Sequence, residues 1–332
     1  MKIILIGGTR FLGRHFVEHA VKAGHDITLF HRGLSGCTDF PEIEHVHGDR
    51  AHDLERLGDR AWDAVVDTSG YLPRIVRTSA QFFAKRANHY TFVSSLSVYN
   101  TYTPGMVEHD DVAKLEGPEP DVMTPETYGA LKALCEQEVM SAFPDRSFHV
   151  RAGMIVGPMD YSDRFTYWVR RISMGGDVMV PEPRRRPMQL IHGGDLAAWM
   201  LRMAEHRGAG IYHATTPDVP WTFEDVLEAC REVSGSKANW VWAPESFFLE
   251  EKVEFWQELP LCVPPPEDAV MTVSVAKAVA DGLTWKPLLI TTRETLAWDA
   301  MRPPGTLLKA GLAPEREVAL LETWRQRSQK SE

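Results

Sequence analysis

Positive charge is in short supply. Thirty-six lysines and arginines stand against 46 aspartates and glutamates, a formal net charge of −10. That balance argues against a general nucleic-acid or membrane-surface partner, so any anionic ligand must be held by local groups. Cysteine is also scarce. The four present, Cys37, Cys135, Cys230 and Cys262, are scattered without metal-ligand spacing. No metal site is expected, and the thiols read as reduced, as in a cytoplasm. The N-terminus carries one lysine and a four-residue apolar run, too short for a signal peptide or a membrane span. Internal repeats and low-complexity tracts are missing as well. What remains is an ordinary globular composition, 44% hydrophobic and 25% charged over 332 residues, enough for one large domain or two.

Residues 2–15 organise the chain. Lys2 is followed by the apolar run Ile3 to Ile6 and then by Gly7-Gly8-Thr9-Arg10-Phe11-Leu12-Gly13. Phe16, Val17, Ala20 and Val21 then recur at helical spacing. This is a buried strand, a glycine turn and a helix N-terminus. Such a turn lets backbone approach a pyrophosphate, and the helix N–H groups and dipole favour its negative charge. A second strand, Asp26 to Phe30, follows at βαβ distance, so Gly7 through Gly13 are expected to bind a dinucleotide.

The second strand runs into His31 and Arg32. An acidic residue there would accept hydrogen bonds from the adenosine ribose and favour NAD. Arg32, with Arg10 in the glycine turn and His31 beside it, suits a 2′-phosphate instead, so NADP(H) is expected over NAD(H). Asp49, in a Gly-Asp pair after a third strand, either meets the adenine edge or simply makes a turn. Residues 63–71 form a fourth strand with a polar end, Thr68, Ser69, Gly70 and Tyr71. Ligands of doubly wound sheets lie beyond the strand C-termini, which puts these four at the cofactor. A fifth strand, 89–93, leads into Ser94-Ser95-Leu96-Ser97-Val98-Tyr99.

Tyr128 and Lys132 open a later helix. A spacing of four puts them on one helix face. A phenol titrates near ~10 when unperturbed. A nearby ammonium stabilises the phenolate, so the phenol can exchange a proton at near-neutral pH.

Taken in order, the glycine turn, Ser95 to Tyr99 after strand five and the Tyr128/Lys132 helix resemble the short-chain dehydrogenases/reductases. Within them the chain is similar to the extended branch, the NAD-dependent epimerase/dehydratase family. It most resembles an atypical subgroup described variously as epimerases, isoflavone-reductase-like proteins and stem-loop RNA-binding-like proteins. Arg151 to Pro158 and Gln189 to Asp195 extend the resemblance over nearly the whole chain. The resemblance implies a catalytic trio of Ser95, Tyr128 and Lys132. Ser95 is chosen over Ser94 because it stands four residues before Tyr99. Lys132 would also bond the nicotinamide ribose, and the helix carrying Tyr128 would serve in a possible homodimer. Arg10 replaces the branch's central glycine, as in the atypical subgroup. Strand four lacks the usual asparagine. Leu96 and Ser97 stand where sugar dehydratases of the family have an acidic pair, and Met154 where nucleotide-sugar members often have asparagine.

The expected fold is α/β: a Rossmann-type doubly wound parallel sheet, with a smaller C-terminal α/β substrate region. Residues 1–158 are expected to be mainly the dinucleotide-binding domain. Residues 159–332 are expected to be mainly substrate-binding, with about 186–215 returning to the first domain. Tyr71, Ser97, Phe165 and Trp168 are the expected substrate contacts, although Phe165 and Trp168 equally suit packing. The basic loop Pro183 to Pro187 either attracts an anion or is solvated. The expected function is an NAD(P)-dependent oxidoreductase. Ser95 binds the carbonyl or imine of a small substrate and Tyr128 supplies the proton. An epimerase with the same trio is one alternative. A non-catalytic cofactor-binding or RNA-binding scaffold is another.

Overall fold

The computed structural model describes residues 1–34, 40–216 and 219–330, so Cys37 lies outside the described residues. The other three cysteines are free and buried. The first strand, β1 (Lys2–Ile6), is buried at Ile3, Ile4, Leu5 and Ile6, as its apolar run requires. Helix α1 (Phe11–Lys22) turns Phe16, Val17 and Ala20 inward. Then come β2 (Asp26–His31), β3 (Glu44–His47), β4 (Trp62–Asp67), α2 (Pro73–Phe83) and β5 (Ala87–Ser95). Helix α3 (Pro125–Ala142) starts where it does because Thr124 and Thr127 form a reciprocal cap and Pro125 occupies the first helical position. Strand β6 (Ser147–Ala152) follows it.

These strands make one parallel seven-stranded sheet, in the order Gly210–Ala214, β6, β5, β4, β1, β2, β3. This is a Rossmann-like α/β fold. The order reverses between β1 and β4, where Ile6 lies opposite Asp67. Ligands of such sheets bind beyond that switch point, and the glycine turn and Thr68 emerge there.

The chain divides into two compact units. Unit 1 comprises Met1–Ile155, Gly193–Asp218 and Val273–Trp285. One face of its sheet buries Phe30, Trp62, Phe83, Tyr90, Phe92 and Phe143 in a single cluster. Each such side chain contributes roughly 1.5–3 kcal/mol on leaving water. The segment Val273–Trp285 had no sequence signal for joining this unit. Lys277 Nζ donates to Ile211 O (2.8 Å), and Ser274 O accepts from His213 Nδ1 (2.9 Å).

Unit 2 comprises Val156–His192, Val219–Thr272 and Lys286–Glu332. Its strands Gly176–Pro181 and Ala238–Ala243 pair in parallel. Helix α4 (Arg164–Ser173) is pinned to the helix Leu288–Ala300 by Arg170, whose fork meets both carboxylate oxygens of Asp299 (2.7 and 2.6 Å). Among the described residues no helix is long and apolar enough to cross a membrane.

Candidate active site

The glycine turn after β1 needs its glycines. Gly7 has φ +95°, a left-handed conformation that other residues resist. At Gly13, in the first turn of α1, a Cβ would stand 2.5 Å from Gly8 Cα, so backbone packs on backbone. Arg10 caps α1 without a side-chain hydrogen bond to it, and Arg10 itself is exposed. The hydroxyls of Thr68 and Ser69 both donate to Ile6 O (3.2 Å each), locking the end of β4 against the turn.

Beneath that junction lies a network with no motif to announce it. Arg50 donates to Asp67 Oδ1 (2.7 Å) and Oδ2 (2.5 Å). Tyr90 Oη (2.9 Å) and Ser69 N (3.0 Å) also donate to Asp67. Burial alone would raise the Asp67 pKa, but Arg50 and these donors hold it below the usual range. The buried carboxylate thus stays charged and fixes the Thr68–Gly70 turn.

At the end of β2 the structure corrects the reading of His31. Gly33 N donates to its Nδ1 (3.0 Å), so its Nε2–H meets His45 Nδ1 (2.8 Å), and His45 Nε2 in turn meets Phe40 O (3.1 Å). Both ring nitrogens of His31 are spent on shaping the turn. Burial, with His45 and His47 nearby, lowers its pKa to about 4, so it stays neutral. Arg32 is exposed. Asp49 Oδ1 accepts from Ala51 N (2.9 Å), which makes it a turn residue.

Ser95 ends β5, and its Oγ accepts from Ser97 N (3.1 Å) and donates to Ser97 Oγ (3.1 Å). Tyr128 and Lys132 lie one turn apart on α3. Lys132 is buried, and its Nζ donates to Gly70 O (2.8 Å) and Val93 O (2.6 Å). Burial pushes its pKa down to about 8. The ammonium also sits 4.2 Å from the Phe92 ring centre and 5.5 Å from that of Tyr71. The Tyr71 ring, 41% exposed, lies 6.4 Å from the Tyr128 ring. One glycine makes the docking of α3 possible. A Cβ on Gly129 would stand 2.0 Å from Ser97 O, so the helix seats directly on the turn that follows Ser95. Ser95, Ser97, Tyr71, Tyr128 and Lys132 are therefore gathered beyond β4 and β5.

Phe165 and Trp168 do not join them. Both are fully buried within unit 2, where Trp168 Nε1 donates to Pro260 O (2.7 Å) and its ring packs edge-on against Phe223. Their aromaticity serves packing. In the basic loop, Arg186 is buried and bonded to Glu245 and to the carbonyls of Val263 and Glu182, leaving Arg184 and Arg185 exposed.

Arg164, at the start of α4, was not singled out by sequence reasoning. Among the described residues it makes no hydrogen bond or ion pair. Its Nε is buried without a partner, and its guanidinium lies 4.9 Å from the Trp256 ring centre. Burial lowers its pKa, with Asp160 opposing from a distance. A half-buried cation without a counter-ion is a place an anion would occupy. Among the described residues no group of three His, Cys, Asp or Glu could hold a metal ion.

The model of the NAD dependent epimerase/dehydratase family matches residues 3–214. The Chloroplast stem-loop binding protein of 41 kDa b of Arabidopsis thaliana is 27% identical over 306 residues, covering 86% of this chain and 75% of that protein. The Bordetella bronchiseptica enzyme WbmH, solved with NAD+, has a TM-score of 0.68 at 17% identity, over 90% of this chain and 98% of that one. UDP-glucuronic acid 4-epimerase from Bacillus cereus, solved with NAD, has a TM-score of 0.68 at 11% identity, over 93% and 100%. At these identities the two structures share a fold with this chain.

Proposed function

This chain belongs to the NAD dependent epimerase/dehydratase family, and on that footing we propose that it is a hydride-transfer enzyme acting at a carbonyl or hydroxyl-bearing carbon of a small molecule. The observation that carries the reading is the seat of α3. The Gly129–Ser97 contact brings the turn holding Ser95 to the helix face holding Tyr128 and Lys132.

The chain's residues fit a dinucleotide. The Gly8–Gly13 backbone approach leaves a cradle that a Cβ would fill, above a helix start with no side-chain cap from Arg10. When bound, the nicotinamide supplies or accepts the hydride. Ser95 Oγ, turning its one proton away from Ser97 Oγ, hydrogen-bonds the substrate oxygen. Tyr128 gives that oxygen a proton in reduction and takes one in oxidation. Lys132 has two of its three donors fixed by Gly70 O and Val93 O, and its charge favours the phenolate of Tyr128. Tyr71 and Ser97 contact the substrate. Arg10 and Arg32, with no carboxylate at the end of β2, support NADP(H) over NAD(H).

Net reduction of a carbonyl or imine is the first reading. Epimerisation with the same trio is the second, favoured by the likeness to UDP-glucuronic acid 4-epimerase. Within unit 2, Arg164 supports binding of an anion. The name of the Arabidopsis relative raises a stem-loop RNA-binding role, which the net charge of −10 and the proposed trio disfavour. The deciding measurement is the cofactor. Protein is denatured and any released nucleotide identified, and emptied protein is titrated with NADPH and NADH. An empty site preferring NADPH supports the reductase. Tightly held NAD transfers the case to the epimerase. Binding of neither, or full turnover by Tyr128→Phe on a substrate found by screening, ends the catalytic reading.

A further inference from the structure

One turn beyond Lys132 on α3 stands Glu136, which continues the spacing of Tyr128 and Lys132 along the same face. It is 2% exposed and meets the equally buried Arg151 of β6. Arg151 Nε donates to Glu136 Oε1 (3.0 Å) and Nη2 to Oε2 (2.7 Å). Arg151 Nη1 reaches the other way, to Tyr99 Oη (2.6 Å) and Glu108 O (2.9 Å). Tyr99 closes the short turn that begins at Ser95.

The network has two further partners: Val107 O lies 3.2 Å from Tyr99 Oη, and the Glu108 carboxylate accepts from His213 N (3.0 Å). His213 Nδ1–H donates to Ser274 O (2.9 Å), so His213 Nε2 is an acceptor and receives the Tyr99 hydroxyl (2.5 Å). Tyr99 Oη in turn accepts from Arg151. Burial lowers the His213 pKa and raises that of Tyr99 to about 12. Tyr99 therefore exchanges no proton near neutral pH, and the matched Glu136 and Arg151 share the network with the Glu108 carboxylate, which faces His213 and Tyr99.

We propose that Arg151 is a positioning residue for the catalytic trio, tying α3 through Glu136 to the Ser95 turn through Tyr99. The proposal rests on the reading of Ser95, Tyr128 and Lys132 given above. Gly129 seats the start of α3 on Ser97, and Arg151 fixes its middle. Between these two attachments lies Lys132, whose Nζ must reach both Gly70 O and Val93 O. A bidentate fork suits this task, because it fixes orientation as well as distance. Lysine at position 151 keeps the charge and loses the fork.

The test reads Lys132 itself and needs no substrate. NMR of isotope-labelled lysine, with the Lys132 signal assigned from Lys132→Met, follows its titration in wild type, Tyr99→Phe and Arg151→Lys. Both variants preserve every formal charge, so the fields of Asp67, Glu136, Arg50 and Cys135 around Lys132 change only if the helix moves. Tyr99→Phe also preserves side-chain volume and keeps the test usable if Arg151→Lys does not fold. The expected result is a rise of about one pH unit in both variants, from about 8 towards the ordinary lysine value, as water reaches a loosened ammonium. A lower melting temperature with the Lys132 titration unchanged would make the network merely structural and overturn the proposal, as would a wild-type Lys132 that titrates normally. Turnover retained by Tyr128→Phe removes the trio reading separately, whatever Lys132 does.

Discussion

Gly129 of α3 lies so close to Ser97 that a Cβ on the glycine would stand 2.0 Å from the serine carbonyl oxygen. Glycine inside a helix ordinarily costs up to about 1 kcal/mol relative to alanine, so Gly129→Ala would stabilise an isolated helix. Here the clash is with backbone and cannot be relieved by a rotamer. The expected outcome is the opposite sign: a melting temperature lowered by several degrees and turnover reduced at least about tenfold, since the helix must lift away from the Ser95 turn. Calorimetry and steady-state kinetics on Gly129→Ala check both. An alanine variant as stable as wild type would mean that α3 sits less tightly than described.

Lys132 makes stability depend on pH in a stated window. Its ordinary value is 10.5 and its folded value about 8. Below about pH 8 the folded protein holds the buried ammonium and carries the whole desolvation cost. Between 8 and 10.5 the unfolded chain binds the extra proton, so stability rises with pH. Above both values the cost is gone. The full span is on the order of 3 kcal/mol. Denaturation of wild type and Lys132→Met at several pH values isolates this contribution. Wild type is expected to gain on the variant from pH 8 to 10.5, and a constant difference would count against the buried ammonium. Turnover should run the other way and fall above about pH 8, where Tyr128 loses its cationic neighbour.

Cofactor choice separates Arg32 from His31. With both nitrogens of His31 tied into the turn, the proposed preference for NADP(H) turns on the exposed Arg32. A charge-assisted hydrogen bond is worth roughly 1.5–3 kcal/mol, so Arg32→Ala should weaken NADPH binding at least about tenfold and leave NADH unchanged. His31→Ala should weaken both alike, through the turn. Fluorescence titration distinguishes the two. Equal losses of NADPH and NADH in Arg32→Ala would remove the argument for NADP.

What the sequence disclosed and what it hid differ in kind. The β1 turn, the ends of β4 and β5 and the Tyr128/Lys132 spacing depend on neighbours within a few positions, and local pattern reveals such features. Arg50 with Asp67, Glu136 with Arg151 and Tyr99 with His213 are 15 to 114 positions apart. No period or motif marks a charge whose partner arrives from another strand. Phe165 and Trp168 show the same limit from the other side. An aromatic pair looks alike in a pocket wall and in a core, and only the packing of Phe223 and the Pro260 carbonyl against Trp168 decides for the core. Val273–Trp285 joins unit 1 through Ser274 O and Lys277 Nζ, a backbone atom and a long flexible cation that leave no apolar signature.

Arg164 leads to a prediction in which binding and stability part company. Its guanidinium is partly desolvated over Trp256 and, among the described residues, is held by no ion pair, with Asp160 acting only from a distance. Burial costs this cation more than the distant Asp160 returns, so removing the charge should stabilise the protein, and methionine preserves much of the packing on the ring. Arg164→Met is therefore expected to melt above wild type in plain buffer. An anion that supplies the missing partner reverses the order, because it stabilises only the protein that binds it. Inorganic pyrophosphate is the probe, added with saturating NADPH so that the glycine turn is already filled. Wild type should then gain melting temperature with pyrophosphate concentration while Arg164→Met does not. A variant less stable than wild type, with both proteins responding equally to pyrophosphate, would show that Arg164 serves packing alone, and the case for an anionic ligand would go with it.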